Sequence, residues 1–478
     1  MMEKRSFFDV RTTGEILDFP FLPDEGKGVL LSQGFKVDSR LVKPGDVFVA
    51  RRGEKEDGHD YIKDAVASGA SAVLLDRSYY EEHEKELRAL GVVLMPVQNS
   101  EKGLVTLASA WLQEVSPSVV GITGSVGKTT TREFLAFCLR KERRVHAAGK
   151  SYNTLVGCSL TVLAMPADTE ILVLELGTSH PGEIREMVFY FPVTHGVITE
   201  VAPAHLEGLE SLEGVLAAKM ELTTSRKLSF LSYNNDNEIL SDAVASLPER
   251  IETWGVGMMG SDTGITEVEQ RLFCGGEAEL SFTLAHGGEM FPCKSSIFGK
   301  QHARNLSYAF VLADALGVDP RSVLESFEDI ELLPGRGRIL RGECDCIVID
   351  ETYNANPASL SFALKNVQEI RLVDEHGPFR KIAVVGGMRE LGADSERWHK
   401  NVLQMVDDLD ELYLIGEEWC GVRHVAGEIV RGWWQDVDDF LKDVPPESFR
   451  RSVVMLKGSR YYRLERILPA LLGDRDGD

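Results

Sequence analysis

The sequence predicts an α/β protein of three domains, and three observations carry that reading. Short β-branched runs alternate with helix-sized segments along most of the 478 residues, the pattern of parallel sheets with helical crossovers. A glycine loop, GSVGKTT at 124–130, follows one such run and opens a helix. The alternation breaks at LLPGRGR, residues 332–338, and then starts again. At roughly 100–200 residues per domain, the chain has room for this organisation.

In chain order, the stretch from Val29 to about Val97 sets VFVA (47–50), AVLL (72–75) and VVLMPV (92–97) among helix-like segments such as YIKDAVASG, a small α/β unit. A helix over 101–114 leads through Pro117 into strands VVGIT (119–123), ILVLEL (171–176) and HGVIT (195–199), each followed by a helix-sized segment. Residues 250–298 have the short alternation of antiparallel strands and are predicted as an appended β-layer. Pro334, Gly335 and Gly337 interrupt a helical stretch. Beyond them CIVID (346–350), KIAVVGG (381–387), ELYLIG (411–416) and SVVMLKG (452–458) build a third α/β unit. The expected domains are 1–115, 116–333 and 334–478, and the final GDRDGD reads as a frayed terminus.

Composition works by exclusion. Acidic residues outnumber basic ones by 75 to 52, a formal net charge of −23, which argues against nonspecific binding to nucleic acid or to an anionic membrane. A phosphorylated ligand stays open, because local cations and backbone N–H groups hold phosphates on acidic proteins. The start of the chain lacks the apolar core of a signal peptide, and the apolar runs fall far short of the ~20 residues a spanning helix needs. Seven scattered cysteines, an odd number, read as reduced thiols. The pair Cys344 and Cys346 has no second cluster at zinc spacing. The expected location is the cytoplasm.

The sharpest chemical signal is VVGITGSVGKTTTREFLAFCL, residues 119–139. Gly124, Ser125 and Gly127 let backbone N–H groups approach phosphate oxygens. The following helix adds partial positive charge, Lys128 reaches the β- and γ-phosphates, and the hydroxyl of Thr129, with Thr130 beside it, faces Mg2+. The spacing departs from the usual phosphate loop, since Ile122 stands where the first glycine belongs and Gly121 lies one residue earlier. The loop implies ATP or GTP and leaves kinases, ATPases, switches and ligases open. Glu175 ends a neighbouring strand and His205 follows another, so both are candidates to converge with Thr129 on a metal; a strand-end surface role is the alternative. Lys219 is unusual. It lies on the stripe of Leu212, Val215, Leu216 and Leu222, either buried for a reason or snorkelling toward Glu221.

In order, GITGSVGKTTT, SYNTLVG (151–157), LELGTSHPGEI (174–184), ITEVAPAHLEGLESLEGVLAAKMEL (198–222), PGRGR (334–338) and IDETYNANPASL (349–360) resemble the Mur ligases. These are ATP-dependent amide-forming enzymes of peptidoglycan precursor synthesis. YNANP (353–357), VVGGMRELG (384–392) with His399, and LKGSR (456–460) look like the member that adds D-alanyl-D-alanine, and residues 37–70 are similar to its UDP-binding stretch. The resemblance implies a UDP-binding N-terminal domain, a central phosphate-loop ATPase domain and a Rossmann-like C-terminal domain. It implies ATP and Mg2+ as cofactors, UDP-N-acetylmuramoyl-tripeptide and D-Ala-D-Ala as substrates, an acyl-phosphate intermediate, and a monomer.

By the same resemblance, Lys128 and Thr129 fall on the phosphate and Mg2+ positions, Glu175 and His205 on second-metal ligands, and Lys219 on a lysine that becomes carbamylated. Asn305 falls on the adenine reader, Arg336 on a phosphate-reaching linker arginine and Asp350 on a ribose contact. Ser39, Arg40, Asn153 and Thr154 fall on the UDP-sugar side, and Asn354, Asn356 and Lys457 on the dipeptide side; a turn or capping role is the alternative for these seven. Four positions depart from the family pattern: Gln301-His302 stands in place of His-Asn, Glu200 follows Thr199, Glu351 replaces an Asp, and Gly387 replaces the Asp of a G-D-M run. The remaining alternatives are another amino-acid ligase of the family, whose D-N-P-R motif is not found, a folate-polyglutamate relative, and a phosphate-loop kinase or nucleotide-binding protein without ligase activity.

Overall fold

The computed structural model describes residues 10–18, 34–53, 56–149, 151–258 and 260–473. The expectations for the extreme N-terminus, for Val29 and for the tail beyond Gly473 lie outside these residues. The first sheet is parallel, with β1 (Phe35–Lys36), β2 (Val47–Val49), β3 (Ala72–Asp76) and β4 (Val93–Val97) in spatial order. The helix Ser100–Val115 follows. Asn99 caps it by accepting from Lys102 N at 2.8 Å, and its buried stripe includes Leu104, Leu107, Ala108 and Trp111. Trp111 Nε1 donates to the carbonyl of Met165 at 3.1 Å, which satisfies the one polar atom of a fully buried ring. One apolar cluster runs from Val47 and Leu74 through this helix to Leu172 and Leu174. The first sheet is thereby packed onto the second.

The second sheet has nine strands: β5 (Ser118–Thr123), β6 (Val145–Ala147), β7 (Ile171–Glu175), β8 (His195–Ile198), β9 (Phe230–Asn234), β10 (Glu252–Gly257), β11 (Thr263–Leu272), β12 (Ala278–His286) and β13 (Glu289–Ser295). Their order in space is β13-β12-β11-β10-β9-β8-β5-β7-β6. Residues alternate between faces, so Val119 joins one core while Val120 and Ile122 join the other. Residues 250–298 do not form a separate layer as expected. β10 pairs in parallel with β9, Trp254 opposite Ser232, and with β11; β11, β12 and β13 then continue antiparallel. Edge-on pairing satisfies the backbone groups of β9, which stacking a second layer over it would leave open. Pro292, with no N–H to give, sits on the outermost strand.

The third sheet places β14 (Arg338–Arg341), β15 (Ile347–Asp350), β18 (Arg380–Gly386), β19 (Glu411–Ile415), β20 (Val430–Trp434) and β21 (Ser452–Lys457) in the order β14-β15-β21-β18-β19-β20. A small hairpin, β16 (Val373–Asp374) with β17 (Gly377–Pro378), precedes β18. Ala383 and Val385 face one core and Ile382 and Val384 the other. The molecule is therefore a three-domain α/β protein. No helix among the described residues is long and apolar enough to cross a membrane.

Candidate active site

β5 lies between β7 and β8, so the loops leaving these three strands open the crevice where ligands bind in parallel sheets. The loop after β5 needs its glycines. Gly124 has φ 145° and a Cβ there would sit 2.0 Å from Thr199 Oγ1; Gly127 has φ 88° and a Cβ would meet Asn305 Oδ1 at 2.9 Å. Ser125 ties the loop to the strand end beside it, donating through Oγ to Ala202 O at 2.7 Å and through N to Glu200 O at 2.8 Å. The helix Lys128–Leu139 begins at once. Its free N–H groups and Lys128 then point at the same space.

Lys128 Nζ donates to Gly124 O at 2.5 Å. Burial pulls its pKa down, Glu175 opposes that, and Arg336 adds to it. Glu175, buried at the end of β7, accepts from Thr129 Oγ1 at 2.9 Å and Arg132 Nη1 at 3.2 Å on Oε2, and from Asn153 Nδ2 at 3.2 Å on Oε1. Arg336, from the linker between the second and third sheets, donates to Thr129 Oγ1 at 3.1 Å. Its guanidinium lies 3.7 Å from the Tyr353 ring centroid. Burial holds its pKa below the usual arginine value. Three buried or half-buried cations thus surround one carboxylate. The surplus positive charge suits a polyphosphate.

The hydroxyl of Thr129 and the carboxylate of Glu175 form a hard-oxygen pair suited to Mg2+, which takes few protein ligands beside phosphate oxygens. His205 has φ 53° at the start of the helix Leu206–Leu209, and its Nδ1 sits 2.5 Å from Glu390 Oε2 on the third domain. This pairing lowers the Glu390 pKa. Among the described residues no three His, Cys, Asp or Glu side chains gather as a metal cluster.

Lys219 is 1% exposed on the helix Leu212–Met220. Burial and repulsion from Lys128 depress its pKa well below 10.5, with Glu183 and Glu221 opposing. The suggested pairing with Glu221 is not made. Glu221 instead accepts from Gly182 N at 2.7 Å and Arg185 N at 3.0 Å.

The two residues expected at the nucleoside also hold groups of the protein itself. Asp350 holds the linker, accepting from Gly335 N at 2.7 Å, Thr352 N at 3.2 Å and Thr352 Oγ1 at 2.6 Å. Both oxygens of this buried carboxylate are thus engaged with the linker and with Thr352. Asn305 lies behind the glycine loop, its amide between Thr131 Oγ1 at 3.4 Å and His302 Nδ1 at 3.3 Å. Burial pushes the His302 imidazole down to about 4.

Ser39 and Arg40 line a cleft of about 680 Å³ on the first domain. Arg40 pairs with Asp38 at 2.7 Å on an exposed turn. Thr154 caps the helix Leu155–Ala164 and is exposed. Asn356 caps Pro357–Gln368 with a capping box, and its Nδ2 also reaches Ser125 O of the glycine loop at 3.2 Å. Lys457 is buried, donating to Glu351 Oε2 at 2.9 Å and Asn354 O at 3.1 Å. It therefore braces the Asn354 loop with two of its three ammonium donors. Of the departures, Glu200 is bound by Asn234 Nδ2 at 2.8 Å and by Asn237 Nδ2. The Gln301 amide accepts from Asn366 at 2.6 Å.

Sequence reasoning missed Arg132, Glu390 and Arg389. Arg132 carried a signal, because four residues after Lys128 it shares that lysine's helix face. Glu390 carried none, because only domain packing brings it to His205.

Family models describe the same chain in three pieces: "Mur ligase family, catalytic domain" over residues 33–111, "Mur ligase middle domain" over 122–313 and "Mur ligase, glutamate ligase domain" over 335–460. A curated relative from Synechocystis, named UDP-N-acetylmuramoyl-tripeptide–D-alanyl-D-alanine ligase, is 31% identical over 425 residues, covering 87% of this chain and 86% of its own. A Bacillus subtilis protein of the same name is 29% identical over 447 residues, covering 92% and 93%. The crystal structure of MurF ligase from Thermotoga maritima in complex with ADP superposes with a TM-score of 0.75 at 28% identity, covering 92% and 97%.

Proposed function

The chain belongs to the Mur ligase family, and we propose that it is the ATP-dependent ligase that joins D-Ala-D-Ala to UDP-N-acetylmuramoyl-tripeptide in peptidoglycan precursor synthesis. The observation that carries this reading is the cleft itself. A phosphate loop on one domain faces amide- and guanidinium-bearing loops on another, and Arg336 and Asn356 cross between them.

A carboxylate is a poor acylating agent until it gains a leaving group. The γ-phosphoryl group of ATP passes to the tripeptide's terminal carboxylate, giving an acyl phosphate. The dipeptide amine attacks that carbonyl, and phosphate departs. Lys128 and Arg336 hold the polyphosphate and offset charge as the phosphoryl group moves between two anions. Thr129 and Glu175 would hold Mg2+, which when bound neutralises charge on the phosphates. Arg132 keeps Glu175 turned toward Thr129. Lys219, buried and without an ion-pair partner among the described residues, would carry a carbamate: its neutral amine adds to carbon dioxide, releasing one proton and leaving an anion near the phosphate loop. His205 is assigned to a second metal position, and Ser39, Arg40, Asn153 and Thr154 to positioning the UDP-linked substrate.

Both walls of the cleft come from one chain, which supports a monomeric working unit. All seven cysteines are unpaired thiols, which supports a reducing compartment where ATP and nucleotide sugars are made, the cytoplasm. The test is phosphate release measured with each component omitted in turn. The reading expects release only with ATP, the UDP-linked tripeptide and D-Ala-D-Ala together. Release without the amine, or ATP binding without any release, would favour a kinase or a nucleotide-binding protein.

A further inference from the structure

A cavity of about 200 Å³ opens on the central domain away from the cleft. Its lining includes His195, Phe230 and Glu252, the first residues of β8, β9 and β10, whereas Glu175 is the last residue of β7 and the glycine loop follows the last residue of β5. These five strands run parallel, so the cavity and the phosphate site lie at opposite edges of one sheet. Trp254, His286 and Asp314 complete the lining, the last of them in the final turn of the helix Gln301–Ala315.

The polar side of this cavity is held by a directed chain of hydrogen bonds. Thr263 is fully buried, and its Oγ1 accepts from Trp254 Nε1 at 2.7 Å. Its own hydrogen then goes to His286 Nδ1 at 2.7 Å. That leaves the His286 proton on Nε2, which faces Asp314 Oδ2 at 3.3 Å. One oxygen of Asp314 is fixed in this way, and no protein donor among the described residues takes the other. Glu252 is exposed at the rim, and its carboxylate has no partner among the described residues.

The charge here has one sign. No Lys or Arg lines the cavity, and burial holds the His195 imidazole below its ordinary value, uncharged at neutral pH. The helix C-terminus adds partial negative charge to the two carboxylates. Trp254 and Phe230 supply aromatic surface, and ring faces attract cations. A metal ion does not suit the lining, because no three His, Cys, Asp or Glu side chains gather as a metal cluster among the described residues.

We propose that this cavity binds a small organic cation, its primary ammonium held by Asp314 and Glu252 and its alkyl chain laid on Trp254. An ammonium has three donors and no acceptor, and ionised carboxylates only accept. The volume is below the range of pockets for drug-sized ligands, which limits the ligand to a short amine. The proposal is independent of the ligase reading, since none of these residues stands in the cleft.

The probe is n-butylammonium chloride, added to protein carrying the heavy nitrogen isotope in its six tryptophans. The indole N–H signal of Trp254 is identified in the NMR spectrum by its loss in Trp254→Phe. That signal should shift saturably with the amine, while sodium chloride at equal ionic strength and n-butanol produce no saturable shift. Asp314→Asn and Glu252→Gln should each weaken the affinity about 10-fold or more, the loss of one charge-assisted contact. Parental Tm and ATP affinity identify a folded variant. Glu252 lies at an exposed strand start, so Glu252→Gln decides the question if Asp314→Asn does not fold. Absence of a saturable shift, an equal shift with n-butanol, or parental amine affinity in either folded variant overturns the proposal.

Discussion

Replacing Lys219 separates what its burial does to the fold from what its nitrogen does for the reaction. The side chain is 1% exposed, and the nearest acid in sequence, Glu221, is spent on the backbone of Gly182 and Arg185. Lys219→Ala removes about three methylenes of buried stem, so at ~0.8 kcal/mol each it costs about 2–3 kcal/mol of packing. Lys219→Met keeps the stem and removes only the amine. The sign of its effect follows from linkage. The folded-state pKa lies well below 10.5, so between that lowered value and 10.5 the unfolded chain holds a proton the native chain lacks, and native stability rises with pH across the window. Lys219→Met is therefore more stable than the parent at neutral pH, and its advantage fades toward pH 10.5. Thermal melts in carbon-dioxide-free buffer measure this.

Activity moves the other way. The kcat of either variant should drop roughly 10²–10³-fold, the size of losing one preorganised charge-stabilising group, with ATP binding retained and with added acetate or formate restoring part of the rate in Lys219→Ala. Turnover near the parental rate in Lys219→Ala refutes the carbamate. An equal loss of ATP binding would show that the residue serves the fold instead.

Arg336→Ala removes the hydrogen bond to Thr129 and the stack on Tyr353; KM for ATP should rise about 10- to 100-fold, with the dipeptide KM unchanged at saturating ATP. Asp350→Ala strips the acceptor from Gly335 N and Thr352, leaving buried donors unpaired at about 1–3 kcal/mol each. Denaturant unfolding should show a loss of about 3–9 kcal/mol, and a loss below about 1 kcal/mol would remove Asp350 as the anchor of the linker. His302 stays neutral to about pH 4 when folded and titrates near 6.5 when unfolded, so stability should fall as pH drops from about 6.5 toward 4, by up to about 3 kcal/mol. In His302→Gln the difference in Tm between pH 7 and pH 5 should shrink.

The glycine loop was legible because strand, loop and helix are consecutive in sequence, and local spacing fixes where Lys128 and Thr129 point. Lys219 was legible because a lysine on an apolar helical stripe violates the pattern its neighbours obey. Residues 250–298 were misread for a physical reason: alternation marks strands, but whether they pair edge-on with β9 or stack over it depends on backbone hydrogen bonds to a distant segment. The same limit hid Glu390 and Glu418, whose partners His205 and Arg389 lie 185 and 29 residues away. Asp350 was placed at the right strand end, yet its carboxylate turns inward because the Gly335 and Thr352 donors need it.

The central claim is that the tripeptide's carboxylate accepts the phosphoryl group before the amine arrives. UDP-N-acetylmuramoyl-tripeptide labelled with the heavy oxygen isotope in that carboxylate tests it directly. With ATP and D-Ala-D-Ala present, one labelled oxygen should appear in the released phosphate for each amide formed, read by mass spectrometry. Amide formation with unlabelled phosphate would contradict the acyl phosphate and, with it, the chemistry assigned to this cleft.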